Sequence, residues 1–247
     1  MGLRFSIITC TWNSLPYIEE CVRSVLSQNY ENYEYIFVDG GSHDGTLEFI
    51  QNIPRQVKLL RNVQGGIARA MNAGIAEAGG DVVAHMHSDD LYVGPHVFGL
   101  VAEQLEATGA AWLFGKVHRI DGEGRILPER HAMPPYSYAR QLRRNHIPHA
   151  ATFVRRSVLQ ALGGFDERYR LAMDYEMWLR IGKQHEPVQL DEYLAAFRIH
   201  SRSATRVHAQ QSFKEDFRAR MQYALPVQYP EFLLRHAVRR WRLAAAK

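Results

Sequence analysis

The 247-residue chain is predicted to be an α/β protein, with a mostly parallel central sheet flanked by helices and a helical C-terminal extension. Three observations predict it. Over the first 115 residues, short apolar runs alternate with helix-length segments, which is how parallel strands with crossover helices read. The 46% hydrophobic content suffices for a sizeable core. No run approaches the ~18 apolar residues of a membrane span.

Taken in order, Phe5 to Thr9 reads as the first strand, and Tyr17, Ile18, Cys21, Val22, Val25 and Leu26 recur at helical spacing as one apolar face behind it. Tyr35 to Val38 forms the second strand and ends at Asp39. The run Gly40 to Thr46 turns the chain, with Asp44 as N-cap of a helix through Ile50. Val57 to Leu60 is a third strand, Ala68 to Ala78 a helix after Gly65-Gly66, and Val82 to Met86 a fourth strand. Beyond Asp90 a helix spans about Val97 to Ala107 and leads to a strand at Ala111 to Phe114. Asp121 to Gly124 closes a hairpin between Val117–Ile120 and Arg125–Leu127. Prolines break up the stretch around a short helix at Tyr136 to Arg144. A helix from Asp174 to Ile181 and a strand through Phe197 to Ile199 follow. No internal repeat or low-complexity linker divides the chain.

The formal net charge of +4 resides in the last 17 residues, where Arg235, Arg239, Arg240, Arg242 and Lys247 face Glu231 alone. The preceding 230 residues are formally neutral, which argues against a nucleic-acid partner. Cys10 and Cys21 fit neither a metal-ligand spacing nor a disulfide framework, and read as reduced core thiols. Met1 to Ser6 matches a loose myristoylation pattern, but the same residues enter the first strand. With the start leading directly into a strand, a cytoplasmic location is expected.

The fourth strand runs into His87-Ser88-Asp89-Asp90. Adjacent carboxylates at a buried strand end repel unless solvated or bound to a cation, and ligands of open α/β sheets bind just outside the carboxyl ends of the strands. A solvated turn is the alternative for this motif alone. Three further segments accompany it in order: Ser6 to Asn13, Val38 to Thr46, and Gly66 to Ile75. Later come His149 to Arg156, Gly164 to Glu167, Asp174 to Arg180 and Arg198-Ile199-His200. Together these motifs resemble family 2 glycosyltransferases, over roughly residues 4 to 205.

That resemblance implies the nucleotide-diphosphosugar transferase fold called GT-A, with residues 1–205 as catalytic domain and 206–247 as a helical extension with a basic tail. It implies Thr9 and Asp39 as nucleotide-base contacts, although a strand-end Thr and an Asp before Gly-Gly also suit plain β propensity and an Asx turn. By the same resemblance Asp90 is a metal ligand, Asp89 lies nearer the ribose or sugar, and His200 approaches the metal. The cofactor implied is Mn2+ or Mg2+, which offsets leaving-group charge. Asp174 takes the place of the catalytic base, with Met173 where the family usually has Glu, and helix capping as its plainer role. Glu176, two positions on, is expected to point elsewhere. His149 is expected on the acceptor side or as a core imidazole. Arg69 stands where relatives often carry an acid, and a phosphate would suit its guanidinium.

The activity implied is inverting transfer of a sugar from a nucleoside-diphosphate sugar to a hydroxyl of a glycan or lipid-linked acceptor. A sugar-nucleotide hydrolase or nucleotidyltransferase, and a non-catalytic sugar-nucleotide-binding subunit, are the alternatives; product analysis separates them. In the tail, Leu234, Val238 and Trp241 form an apolar stripe beside Arg235, Arg239 and Arg242. The short stripe favours docking on the domain over peripheral contact with a membrane surface.

Overall fold

A computed structural model of the chain describes residues 2–128, 132–201, 203 and 207–245, without side chains for 241–245. Its strands are β1 (Phe5–Thr11), β2 (Tyr33–Asp39), β3 (Lys58–Leu60), β4 (Val82–His85), β5 (Leu91–Tyr92), β6 (Trp112–Ile120), β7 (Thr152–Arg155) and β8 (Val188–Arg198). They form one eight-stranded sheet in the order β3-β2-β1-β4-β7-β6-β8-β5. The first four are mutually parallel, because α1 (Leu15–Leu26), α2 (Thr46–Gln51) and α3 (Ile67–Glu77) carry the chain back between them. Antiparallel β7 then joins β4 to β6, while β8 runs parallel to β6 and pairs antiparallel with β5.

Alternation along β1 builds two cores. Phe5 and Ile7 join Ile18, Cys21 and Val25 of α1 on one face, whereas Ile8 and Cys10 meet Met71 and Ile75 of α3 on the other. Ile8 packs so closely on α3 that a Cβ at Gly74 would lie 2.5 Å from its Cγ2. Both cysteines are buried and unpaired, and burial pushes each thiol up to about 12.

Several sequence expectations shift. The segments read as two strands at Ala111–Phe114 and Val117–Ile120 are one strand, β6, whose register slips beside Gly115. The hairpin is reduced to an Ile120–Ile126 bridge closed by Asp121, whose Oδ1 accepts from the Glu123 and Arg125 amides. The short strands β5 and β7 lie in segments to which no strand was assigned; at two and four residues neither displays a readable period. Gly45, not Asp44, occupies the α2 cap, at φ 100°. Asp44 sits one residue earlier, accepting from the Leu15 amide at 3.1 Å and from the Thr46 hydroxyl at 2.6 Å, so it ties the starts of α1 and α2 together.

The remaining helices are α4 (Val97–Thr108), α5 (Tyr138–Arg143), α6 (Arg156–Ala161), α7 (Met173–Gly182), α8 (Ala209–Tyr223) and α9 (Tyr229–Ala245). Ala219 of α8 and Phe232 of α9 belong to the same apolar cluster as Trp178 of α7 and Met71 of α3. Docking of the tail is therefore real, but through a different face from the one expected. Phe232 is buried and His236 stacks on Phe213 and Phe217, whereas Leu234 and Val238 are 67% and 40% exposed. The Trp241 side chain lies outside the described residues. Among the described residues no helix is long and apolar enough to cross a membrane.

Candidate active site

The crevice lies at the carboxyl ends of β1, β2 and β4, where the register sets Thr11 opposite Asp39 and leaves His87 to Asp90 just beyond β4. Loops after β1 and β2 are laced together: the Asn13 amide donates to Ser42 Oγ at 2.9 Å and the His43 amide to Asn13 Oδ1 at 3.0 Å. Asn13 holds φ 51°, which its side-chain hydrogen bonding makes tolerable. Trp12 thereby projects from the end of β1 with 70% of its surface exposed. Sequence reasoning passed over this residue, although a large aromatic directly after a buried strand is a readable signal.

Asp39 is fully buried and receives four hydrogen bonds, from the Gly41 and Ser42 amides, Ser42 Oγ and Thr11 Oγ1. Burial raises its carboxyl, but these donors outweigh burial and hold it below the usual carboxylate range. In this geometry Asp39 organises the turn after β2. Thr9 does not reach the crevice. Its side chain points into the α1 core, donating to the Met86 carbonyl at 2.8 Å, and Thr11, two residues on, takes the position beside Asp39. Thr9 and Thr11 share one face of the strand; the difference is that β1 ends at Thr11 and not at Thr9, so only Thr11 stands at the carboxyl end. Arg69 is exposed in the first turn of α3, its aliphatic stem lying over Gly65. A guanidinium beside a helix N-terminus suits an anion.

The two carboxylates of the acidic pair differ in exposure and partners. Asp90 is buried, with its carboxylate accepting from the Arg198 amide at 2.9 Å; burial first, then the charge of Asp89, pushes its carboxyl well above the usual range. Asp89 is the more exposed of the two and meets His200 Nε2 at 2.9 Å. The residue responsible is Arg198, which sequence reasoning left without a role. Its guanidinium is fully buried, donating to the Asp89 carbonyl at 3.0 Å and the Gly122 carbonyl at 3.1 Å, and pairing with Glu20 at 2.7 Å. Arg198 fixes the backbone of the acidic motif from the end of β8. His200, two residues further, is turned toward the Asp89 side chain and lies 4.8 Å from the Tyr17 ring. Among the described residues no three His, Cys, Asp or Glu side chains converge on one point. Asp89 and His200 could supply one oxygen and one nitrogen to a divalent cation, leaving other positions for phosphate oxygens and water.

Behind this pair lies an imidazole stack. His149 packs on His87 with centroids 4.7 Å apart, 5.7 Å from His85 and 5.8 Å from Trp178 of α7. Burial, and then the neighbouring rings, drive His149 well below the ordinary histidine range, and His85 falls to about 3. These rings are neutral at pH 7. Neither ring nitrogen of His149 has a hydrogen-bond partner among the described residues.

The stack leads to Asp174. The helix cap is Ala172, so Asp174 stands in the first turn of α7 and is not its cap. Its Oδ1 accepts from the Tyr175 amide at 2.6 Å and its Oδ2 from Asn145 at 3.3 Å. Burial, reinforced by Asp216, raises the carboxyl to about 6 against those donors. Glu176 points away as expected: it is buried, paired with Arg180 at 2.8 Å and held by the Tyr223 hydroxyl. Asn145 also lines a cavity of about 740 Å3 between β6 and α5.

The glycosyl transferase family 2 model matches residues 6–163. An uncharacterized glycosyltransferase of Mycobacterium tuberculosis (strain ATCC 25618 / H37Rv) is 33% identical over 198 residues, 78% of this chain and 74% of that protein. Chondroitin synthase of Pasteurella multocida (strain Pm70) is 30% identical over 183 residues, 72% of this chain but only 19% of that enzyme. Staphylococcus aureus TarS 1-349 in complex with UDP-GlcNAc superposes with a TM-score of 0.72 at 20% identity, over 88% of this chain and 64% of that one. The mannosyltransferase PcManGT of Pyrobaculum calidifontis, in complex with GDP-Man and Mn2+, superposes with a TM-score of 0.69 at 17% identity, over the whole chain and 76% of that one. The fold is therefore GT-A, and the chain is a glycosyltransferase that belongs to glycosyl transferase family 2.

Proposed function

We propose that the chain transfers a sugar from a nucleoside-diphosphate sugar to an acceptor hydroxyl with inversion, using Asp174 as its single base, in the synthesis of a glycan. The observation that carries this is the Asp174 carboxyl, half-buried at the start of α7, raised to about 6 and set beside the cavity wall formed by Asn145. A base with a pKa near 6 is ionised at pH 7 yet far more basic than a free Asp. It accepts the hydroxyl proton as the new bond forms, because an alcohol cannot be deprotonated beforehand. A retaining mechanism would need a second available carboxylate, and the neighbouring Glu176 is engaged by Arg180 and Tyr223.

On the donor side, Trp12 offers a stacking face for the base, and Asp39 keeps the turn after β2 in shape. A direct bond from the base to Asp39 would displace one of its four donors. Arg69 and the α3 N-terminus face the diphosphate. Asp89 and His200 would hold a divalent cation, Mn2+ or Mg2+, with Arg198 positioning the first of them. Such an ion, when bound, neutralises charge on the departing diphosphate. The GDP-Man and Mn2+ in PcManGT and the UDP-GlcNAc in TarS support a metal-assisted sugar-nucleotide donor.

We further propose a peripheral membrane contact, at the cytoplasmic surface, through the exposed Leu234–Val238 stripe of α9 and its arginines, which would bring lipid-linked acceptors close. Product analysis with the wild-type chain and the Asp174→Asn variant tests the reaction. Transferred sugar from the wild type and at least about 100-fold less from the variant is expected; free sugar alone from the wild type would identify a hydrolase, and no product despite nucleotide binding a non-catalytic subunit.

A further inference from the structure

The 740 Å3 cavity beside Asn145 is lined by four fixed cations, Lys116 and Arg119 of β6 and Arg140 and Arg144 of α5 and its C-terminal cap, together with His146. Its volume lies within the ~300 to 1,000 Å3 of small-molecule sites. Lys116 is paired with Asp191 at 2.7 Å, and that carboxylate is almost fully exposed. Among the described residues, Arg119, Arg140 and Arg144 have no carboxylate partner; Arg140 donates to the Pro135 carbonyl, which leaves its charge uncompensated. The buried His146 Nε2 also has no hydrogen-bond partner among the described residues.

Three guanidinium groups with no carboxylate partner among the described residues surround one recess and repel one another, and a bound anion relieves that repulsion. In the reading above the donor diphosphate is held elsewhere, by Arg69 and the α3 N-terminus. Its crevice lies at β1, β2 and β4, whereas the cavity is framed by β6, two strands beyond β4 in the sheet order. Asn145 joins the cavity to Asp174, so whatever fills it lies next to the hydroxyl under attack.

Resting on the glycosyltransfer reading above, we infer that the acceptor carries a negative charge, a carboxylate or a phosphodiester, close to its reacting hydroxyl, and that Arg119, Arg140 and Arg144 recognise it. A planar guanidinium fork matches both groups in bidentate fashion. Such an acceptor needs this help. It approaches both the Asp174 carboxylate and the donor diphosphate, and without cations on its far side both would repel it.

The test is isothermal titration of the full chain with two matched pairs: a hyaluronan tetrasaccharide against its carboxyl-reduced counterpart, and a glycerol-phosphate trimer against a neutral glycerol ether trimer. At least one anionic member is expected to bind 10-fold or more tighter than its neutral partner, with affinity falling as salt rises. Arg119→Gln with Arg144→Gln should remove that preference, and Arg119→Lys with Arg144→Lys should retain part of it. Arg144 is exposed, so the single Arg144→Gln variant folds even if the double variant does not, and it should lower the preference several-fold. Equal binding within both pairs, absence of binding by both anionic probes, or a preference unchanged in Arg144→Gln would overturn the inference. Titration of the wild type with UDP and GDP in Mn2+ reports separately on the donor reading. Loss there with anionic preference intact would sink that reading and leave the cavity's anion recognition standing.

Discussion

Replacing Asp174 by Asn is expected to remove catalysis while making the protein more stable at neutral pH. Burial raises the folded carboxyl to about 6, above its ordinary value of 3.8. The protonated form is therefore favoured by the fold. That contribution is fully present below about pH 4 and is lost as pH rises through about 6, so at pH 7 the ionised group costs stability. The full separation of pKa values corresponds to about 3 kcal/mol at ~1.4 kcal/mol per unit, and partial exposure reduces it to about 1 to 2 kcal/mol. Asn keeps the size, and its single carbonyl oxygen can still accept from the Tyr175 amide while the contact with Asn145 is lost. Urea unfolding at pH 7.5 should then show Asp174→Asn above the wild type, with the gap closing near pH 4. Transfer should fall by about 10² to 10⁴ through loss of the general base. The wild-type kcat should rise tenfold per pH unit up to about pH 6 and level off above it, and the residual rate of the variant should lack that limb. Turnover comparable to wild type, or a stability gap that widens toward pH 4, would refute the reasoning.

Asp89→Ala should weaken binding of Mn2+ and of a nucleoside diphosphate together, read as loss of the Mn2+-dependent part of the thermal shift with UDP or GDP; an unchanged shift would place the ion elsewhere. Arg198→Met leaves the Asp89 and Gly122 carbonyls without their donor, and at about 1 to 3 kcal/mol for each orphaned acceptor should cost about 2 to 6 kcal/mol in chemical denaturation. A loss below about 0.5 kcal/mol would show that Arg198 does not clamp the acidic motif. In flotation with anionic vesicles, the full chain should be recovered in a salt-sensitive way and a chain ending at Pro230 should not, since each Arg near the surface contributes on the order of 1 kcal/mol; equal recovery would exclude the tail as an anchor.

Much of the fold was legible because its signals are local. The apolar spacing of Ile18, Cys21, Val22 and Val25 marks α1, and all four are buried in the structure. Asp39 and Asp89 could be located at the crevice because strands β2 and β4 are apolar runs that stop there. The strand β7, the merger of two segments into β6 and the reduced hairpin were not legible, since antiparallel insertion beside β4 depends on partners far along the chain.

The amino-acid order alone determined the strands and helices from β1 to β4, that these four strands are parallel, and that acidic residues gather at their carboxyl ends, because hydrophobic period and turn chemistry act over a few neighbouring residues. Only the tertiary structure decided which way each side chain at the site faces. Thr9 is covered by Tyr35 and the Met86 carbonyl because β1 runs two residues further, to Thr11. Asp89 faces outward and Asp90 inward because Arg198, more than a hundred positions away, closes on both. The tail docks through Phe232 and His236, not through Leu234, because aromatic rings of α8 stand where α9 crosses it. Two adjacent carboxylates have the same local preferences, and which one is desolvated is set by what packs against them.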